Sequence, residues 1–299
     1  MVAGGLGILG GQASLCQSTL ELQHLKQELA SNRPIGVFDS GVGGLSVLRE
    51  IRSELPGEDL LYVADSGHAP YGDKSARLIE ARAIAIVEFL QEQRAKAVVV
   101  ACNTATGVAV QMLRARYQLP IVAMEPAIKP AVSITRSGVI GVLATSRTIT
   151  SDNFAKLHER YAAEARILMQ PCPGLVEQVE AGDLSSDKTG ALLRQYVLPL
   201  LEQGVDTLVL GCTHYPFLAP LIRELVGPMV AIIDPSAAIA RELRRRLAGA
   251  NLLSAGSRAG IERFWTSAAS GAAQEIITQL WQAEVEVCRM PADAAVWRP

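Results

Sequence analysis

Two cysteines, 110 residues apart, close stretches of the same type. Ala97-Val98-Val99-Val100-Ala101 leads into Cys102-Asn103-Thr104, and Thr207-Leu208-Val209-Leu210-Gly211 leads into Cys212-Thr213-His214. In each, an apolar run reads as a buried parallel strand, and the polar residues after it can turn the chain and cap a helix. A sulfur at that point lies at the carboxyl end of a central strand, where open α/β sheets bind ligands. A helix N-terminus beyond it lowers a thiol pKa below the reference of about 8.5. One such thiol beside a histidine would attack a carbonyl. Two of them, placed on opposite faces of a carbon acid, do something else: one removes a proton and the other returns one, which inverts the centre. An α-proton beside a carboxylate is far less acidic than a thiol. Such a site must therefore exclude water and offer fixed donors, and Asn103, Thr104, Thr213 and His214 stand next to the sulfurs for that purpose.

The elements around these stretches repeat. Ile35-Gly36-Val37-Phe38 is echoed by Ile140-Gly141-Val142-Leu143 at an offset of 105, and the cysteines by 110. Pro120-Ile121-Val122-Ala123 is echoed by Pro228-Met229-Val230-Ala231 at an offset of 108, and Leu61-Tyr62-Val63 more weakly by Ile167-Leu168-Met169. Near-constant spacing implies a duplicated α/β unit. The expected fold is α/β: two similar open domains related by a pseudo-twofold axis, with the active site in the cleft between them. Residues 34–126 form the first domain and 127–234 the second. Residues 235–299 carry no third copy and are expected to pack back on one of these two domains.

After the first strand, Asp39-Ser40-Gly41-Val42-Gly43-Gly44-Leu45-Ser46 can turn tightly and present N–H groups to an anion. Ser46 replaces the last glycine of G-x-G-x-x-G and no Lys-Ser/Thr follows, so a small carboxylate or amino acid suits the loop better than a nucleotide. Asp39 is then available to an ammonium group, with a helix cap for Asp39 and Ser40 the competing role. Leu60–Asp65 reads as the second strand and Pro70-Tyr71-Gly72 as a turn whose ring and bare N–H could line a pocket. Residues 75–94 read as a helix burying Ile79, Ala83, Ile86, Val87 and Leu90. Ser236 is expected to cap a helix reaching about Leu247, Arg263–Ser267 to form a strand or turn, and Gly271–Val285 a last helix. Residues 1–33 read as an extension with one amphipathic helix, opened by the capping box Ser18-Thr19-Leu20-Glu21.

The bulk numbers narrow the function class. At 299 residues, 49% hydrophobic and 19% charged, the chain suits a compact enzyme of two domains. A formal net charge of −2 argues against a broad grip on nucleic acid or anionic lipid, and no apolar run reaches the roughly 18 residues of a membrane span. The first basic residue is Lys26, so the charged start of a secretory signal is missing and a cytoplasmic location is expected. No C-x-x-C or H-x-x-x-H occurs among the five cysteines and four histidines, so neither zinc nor disulfides are expected. Cys16, Cys172 and Cys288 fit inert thiols.

Four ordered motifs, IGVFDSGVGG from Ile35, Pro70-Tyr71-Gly72, Cys102-Asn103-Thr104 and Cys212-Thr213-His214-Tyr215-Pro216, resemble those of the glutamate racemases in the aspartate/glutamate racemase superfamily. The likeness runs from about residue 35 to Phe264-Trp265-Thr266. It implies that Cys102 and Cys212 are the catalytic acid/bases, and that Asp39, Ser40, Tyr71, Gly72, Asn103, Thr104, Thr213 and His214 contact glutamate. It also implies that Asp39 and His214 assist proton transfer, that no cofactor or metal takes part, that residues 235–299 complete the first domain, that D-glutamate feeds peptidoglycan synthesis, and that the chain forms a homodimer. Ala144-Thr145-Ser146-Arg147-Thr148 resembles the family's threonine-bearing turn. Three alternatives stay open: an aspartate racemase, disfavoured because His214 stands where an acidic residue tends to follow; a non-catalytic two-lobed amino-acid-binding protein; and a redox-sensing thiol pair.

Overall fold

The computed structural model describes residues 27, 29–256 and 258–291. The expected capping box at 18–21 and Cys16 lie outside the described residues; Leu29 to Ser31 are helical.

Among the described residues ten strands form two sheets. They are β1 (Ile35–Asp39), β2 (Leu60–Ala64), β3 (Ala97–Val100), β4 (Ile121–Ala123), β5 (Val139–Ala144), β6 (Arg166–Pro171), β7 (Thr207–Leu210), β8 (Ala231–Ile233), β9 (Glu262–Thr266) and β10 (Val287–Arg289). One sheet has the order β10-β9-β2-β1-β3-β4 and the other β6-β5-β7-β8, and every recorded pairing is parallel. The core of each sheet follows one rule, second strand, first, third, fourth, so the duplication read from sequence is present in the topology. The central strands β1, β2, β3 and β7 are buried along their whole length, which explains their continuous apolar character: helices cover both faces of a parallel sheet.

Pairing fixes the alignment of the halves better than spacing does. Gly36 pairs with Leu61 and Val98, and Gly141 with Leu168 and Leu208. Leu168, not Ile167, is therefore the counterpart of Leu61. A slip of one residue matters because it moves every side chain to the other face. Likewise Val98 pairs with Ile121 and Leu208 with Ile232, so Pro228 is not the counterpart of Pro120: the register of β8 lies three residues later than the echoed motif implies. The proline and small apolar residues matched by chance of composition, while the hydrogen-bonded register did not.

The chain crosses from the first sheet to the second after β4 and returns after β8. On return, helix Ser236–Gly249 packs on helix Leu45–Glu54, and β9 pairs with β2. Ser236 is not that helix's cap; the Asp234 carboxylate accepts the Ser236 N–H at 2.9 Å and its hydroxyl at 2.6 Å. Helix Ser270–Trp281 stops four residues before the expected end, because Gln282 takes a left-handed conformation at φ 64°. One hydrophobic core runs continuously from Leu45, Ile51 and Leu247 through Cys172 and Cys212 to Leu200, tying the lobes together on one side. No described helix is long and apolar enough to cross a membrane.

Candidate active site

Cys102 follows β3 and is the N-cap residue of helix Asn103–Arg116; its Sγ accepts the Ala105 N–H at 3.4 Å. Its S–H faces the Ser40 hydroxyl at 3.6 Å. Cys212 occupies the same place after β7, but a single 3-10 turn, Tyr215–Leu218, follows instead of a long helix. Its Sγ faces His214 Nδ1 at 3.6 Å. Both sulfurs are buried, and they are close enough that charge on Cys212 raises the pKa of Cys102.

The glycine loop joins the two sides. Asp39 Oδ2 accepts N–H groups of Gly41 (3.2 Å) and Gly44 (3.1 Å), and Asp39 Oδ1 accepts the Thr213 hydroxyl at 3.3 Å. The Val42 N–H goes to Glu180 Oε1 at 2.8 Å, and that oxygen also faces His214 Nε2 at 2.6 Å. Ser46 Oγ donates to the carbonyl of Gly43 and lies 3.0 Å from that of Thr213. The N–H groups of Gly41, Val42 and Gly44 are thus held by protein carboxylates rather than left for an external anion, which corrects the expectation drawn from the glycines at those three positions. The glycines serve close approach. A Cβ on Gly43 would fall 2.3 Å from His214 Nδ1, and one on Gly41 1.8 Å from Glu180 Oε1.

Electrostatics separate the two thiols. Burial pushes Cys102 up, and the Asp39 carboxylate adds to it; the Ala105 N–H and Ser40 hydroxyl do not compensate. The expectation that a helix N-terminus would lower this thiol fails because desolvation of a fully buried sulfur outweighs one N–H and a helix dipole. Burial also raises Asp39. For His214, burial alone would lower the pKa, but hydrogen bonds to Cys212 and Glu180 outweigh it and hold the ring well above the ordinary value. A cationic ring stands beside one sulfur only.

The remaining sequence-derived residues gather around this pair. Thr104 Oγ1 forms a triangle with Thr145 Oγ1 (2.9 Å) and Thr148 Oγ1 (3.2 Å), bridging the lobes. Both polar atoms of the buried Asn103 amide lack a hydrogen-bond partner. Asn103 also lines a cavity of about 190 Å³ with Thr106, Thr148 and Arg160. Tyr71 is buried and its hydroxyl donates to Asp65 at 2.5 Å, so that hydroxyl is already engaged. Gly72 abuts Thr145 across the cleft: a Cβ there would lie 3.4 Å from the threonine. Glu180, on helix Leu175–Glu180, was not singled out in the sequence. Leu-Val-Glu-Gln-Val-Glu carries no motif, and only the fold brings it to His214. No group of three His, Cys, Asp or Glu suited to a metal occurs among the described residues.

Two copies of one open α/β sheet, meeting at a cysteine of each, define the class of two-lobed α/β enzymes with a site between like halves. The chain belongs to the Asp/Glu/hydantoin racemase family, whose model matches residues 35–243. The glutamate racemase of Pseudomonas aeruginosa (strain PAO1) is 57% identical over 248 residues, 83% of this chain and 93% of that protein. A glutamate racemase from Bacillus anthracis has a TM-score of 0.80 at 33% identity, covering 87% of this chain and 98% of that one. The Escherichia coli glutamate racemase, solved with L-glutamate and the activator UDP-MurNAc-Ala, gives 0.76 at 35%, covering 86% and 97%.

Proposed function

We propose that this chain interconverts L- and D-glutamate by moving a proton between Cα and two thiols, with no cofactor, and that its product supplies peptidoglycan synthesis in the cytoplasm. The carrying observation is the equivalence of Cys102 and Cys212: each follows the third strand of a sheet built on the same four-strand order, and the residue one or two places after each sulfur reaches the other lobe, Thr213 to Asp39 and Thr104 to Thr145. In this reading residues 34–126 with 235–299 and residues 127–234 are the two domains, and the enzyme works as a homodimer.

In one direction the Cys212 thiolate takes the Cα hydrogen, and the electron pair left on carbon spreads into the α-carboxylate. The Cys102 S–H then gives its proton to the opposite face, leaving a Cys102 thiolate and a Cys212 thiol. Once the product leaves, the Cys212 S–H loses its proton to solvent and the Cys102 thiolate gains one from solvent, with Ser40 Oγ passing it on at Cys102 and the His214 ring facing the thiolate that re-forms at Cys212. The reverse direction runs the same steps backwards. Fixed donors lower the carbanion's energy; one well-placed donor in a dry site contributes on the order of 3 kcal/mol. The Asn103 amide, left without protein partners, and the Thr104, Thr145 and Thr148 hydroxyls supply them, while the Gly72 N–H and Thr213 orient the substrate.

The test is a circular-dichroism assay of both glutamate enantiomers and both aspartate enantiomers without added cofactor. Loss of rotation from either glutamate enantiomer, with deuterium at Cα of the inverted product in heavy water, is expected. Activity on aspartate alone, or product that keeps its original hydrogen, overturns the proposal.

A further inference from the structure

Behind the turn that carries Tyr71 and Gly72 lies a buried charge cluster that the reaction does not use. Asp65, fully buried at the end of β2, receives Arg82 Nη2 on Oδ1 at 2.8 Å and Arg82 Nε on Oδ2 at 3.0 Å. The Tyr71 hydroxyl reaches the same Oδ2, and His68 Nδ1 lies 3.1 Å from Oδ1. Arg82 sits in the middle of helix Ala76–Glu92 and is itself buried. Burial alone would raise Asp65, but His68 and Arg82 outweigh it and keep the carboxyl ionised and below its usual range.

We infer that Arg82 is a positioning residue for the reaction: its bidentate pair with Asp65 is the mount that holds the Tyr71–Gly72 turn against the opposite lobe. The chain of contact is short. Arg82 fixes both oxygens of Asp65, Asp65 fixes the Tyr71 hydroxyl, and the next residue, Gly72, abuts Thr145. Thr145 in turn belongs to the hydroxyl triangle with Thr104 and Thr148. A planar guanidinium matches both carboxylate oxygens at once, which a lysine ammonium cannot do, so the turn's angle as well as its charge balance depends on arginine. Removing the cation leaves a buried carboxylate held by Tyr71, Ser267 and the partly exposed His68 but by no guanidinium, a costly state that the turn relieves by moving. The thiols, attached to other strands, do not move with it. The substrate should therefore bind worse while bound substrate still reacts.

The inference rests on the racemase reading and on the turn's contact with substrate, and the experiment keeps them apart. Wild-type racemisation of glutamate is measured first; its absence sinks the functional reading, not this one. With wild type active, Arg82→Met is expected to raise KM about tenfold while kcat stays within about threefold, and Arg82→Lys to recover part of the loss. Tyr71→Phe should raise KM less, and add little to Arg82→Met, since both act through one carboxylate. An unchanged KM in folded Arg82→Met, or a loss in kcat alone, overturns the inference. So does an Arg82→Lys variant no better than methionine. If Arg82→Met does not fold, Arg82→Lys decides: a KM raised about threefold at constant kcat supports the mount, and a wild-type KM refutes it.

Discussion

The two sides of the cleft share topology but not chemistry. On the Cys102 side a long helix begins at the sulfur, Ser40 is its polar neighbour, and the nearby charge is the Asp39 carboxylate. On the Cys212 side a 3-10 turn separates the sulfur from a shorter helix, Ala219–Val226, and the neighbours form a hydrogen-bonded chain, Cys212 to His214 to Glu180. Duplication placed two sulfurs symmetrically, and divergence of the residues after them made one side a buried thiol and the other a sulfur facing a cation. Symmetry of position with asymmetry of environment suits a reaction that needs one acid and one base at a time.

The largest expected effect tests the symmetric part. Cys102→Ala and Cys212→Ala should each lower racemisation by at least about 1,000-fold, measured by circular dichroism of glutamate, because a base on one face cannot deliver a proton to the other. Far-ultraviolet dichroism should stay unchanged, since each alanine removes only a small buried sulfur. A variant that keeps full activity would remove its sulfur from the mechanism.

The asymmetric part is tested at His214. His214→Asn should lower kcat/KM about 100-fold. L- and D-glutamate are mirror images with an equilibrium constant of unity, so the loss must be equal in both directions and only kcat and KM can split. Glu180→Gln should fall in the same direction by less, because the ring stays but loses its charged partner. Without substrate, iodoacetamide should label Cys212 about tenfold faster than Cys102, because burial and the Asp39 carboxylate hold the Cys102 thiol protonated while His214 Nδ1, not a carboxylate, faces Cys212. Peptide-resolved mass spectrometry separates these from the other cysteines. Equal rates, or a difference that survives His214→Asn, would leave the hydrogen-bonded chain without a role.

The same contrast explains what the sequence could disclose. Strands β1, β3, β5 and β7 were legible because a strand buried on both faces must be an unbroken apolar run, and the sulfurs because each ends such a run. The offset of the fourth strands was not legible, since only Ile121 against Val98 and Ile232 against Leu208 reveal it. The glycine loop misled for a physical reason: Gly41 and Gly43 are required by the approach of Glu180 and His214, groups more than 130 residues away. Burial misled at Cys102. Sequence shows a helix start, while the desolvation that dominates the thiol depends on packing from both lobes.

The smallest effect lies at the far end of the sheets, where the repeat again swaps chemistry. Lys96 and Asp206 are equivalent, each immediately before its third strand. Lys96 is buried against Glu58 and the Ser31 carbonyl, whereas Asp206 accepts the Thr135 hydroxyl at 2.6 Å, the N–H groups of Arg136 and Ser137 at 2.7 and 2.8 Å, and the Thr207 hydroxyl at 2.9 Å. Burial works against its ionised form, but these donors outweigh it and depress the pKa. A carboxyl depressed on folding contributes stability that is present above its unfolded value, about 3.9, and lost as pH falls through the lower folded value. Asp206→Asn should therefore cost about 1–2 kcal/mol at pH 7, read from urea midpoints, with the gap closing as pH drops below about 4. Racemisation should stay within about twofold, because the anchor stands at the opposite end of β7 from Cys212. A gap as wide at pH 2 as at pH 7 would mean that the asparagine fails through shape rather than charge.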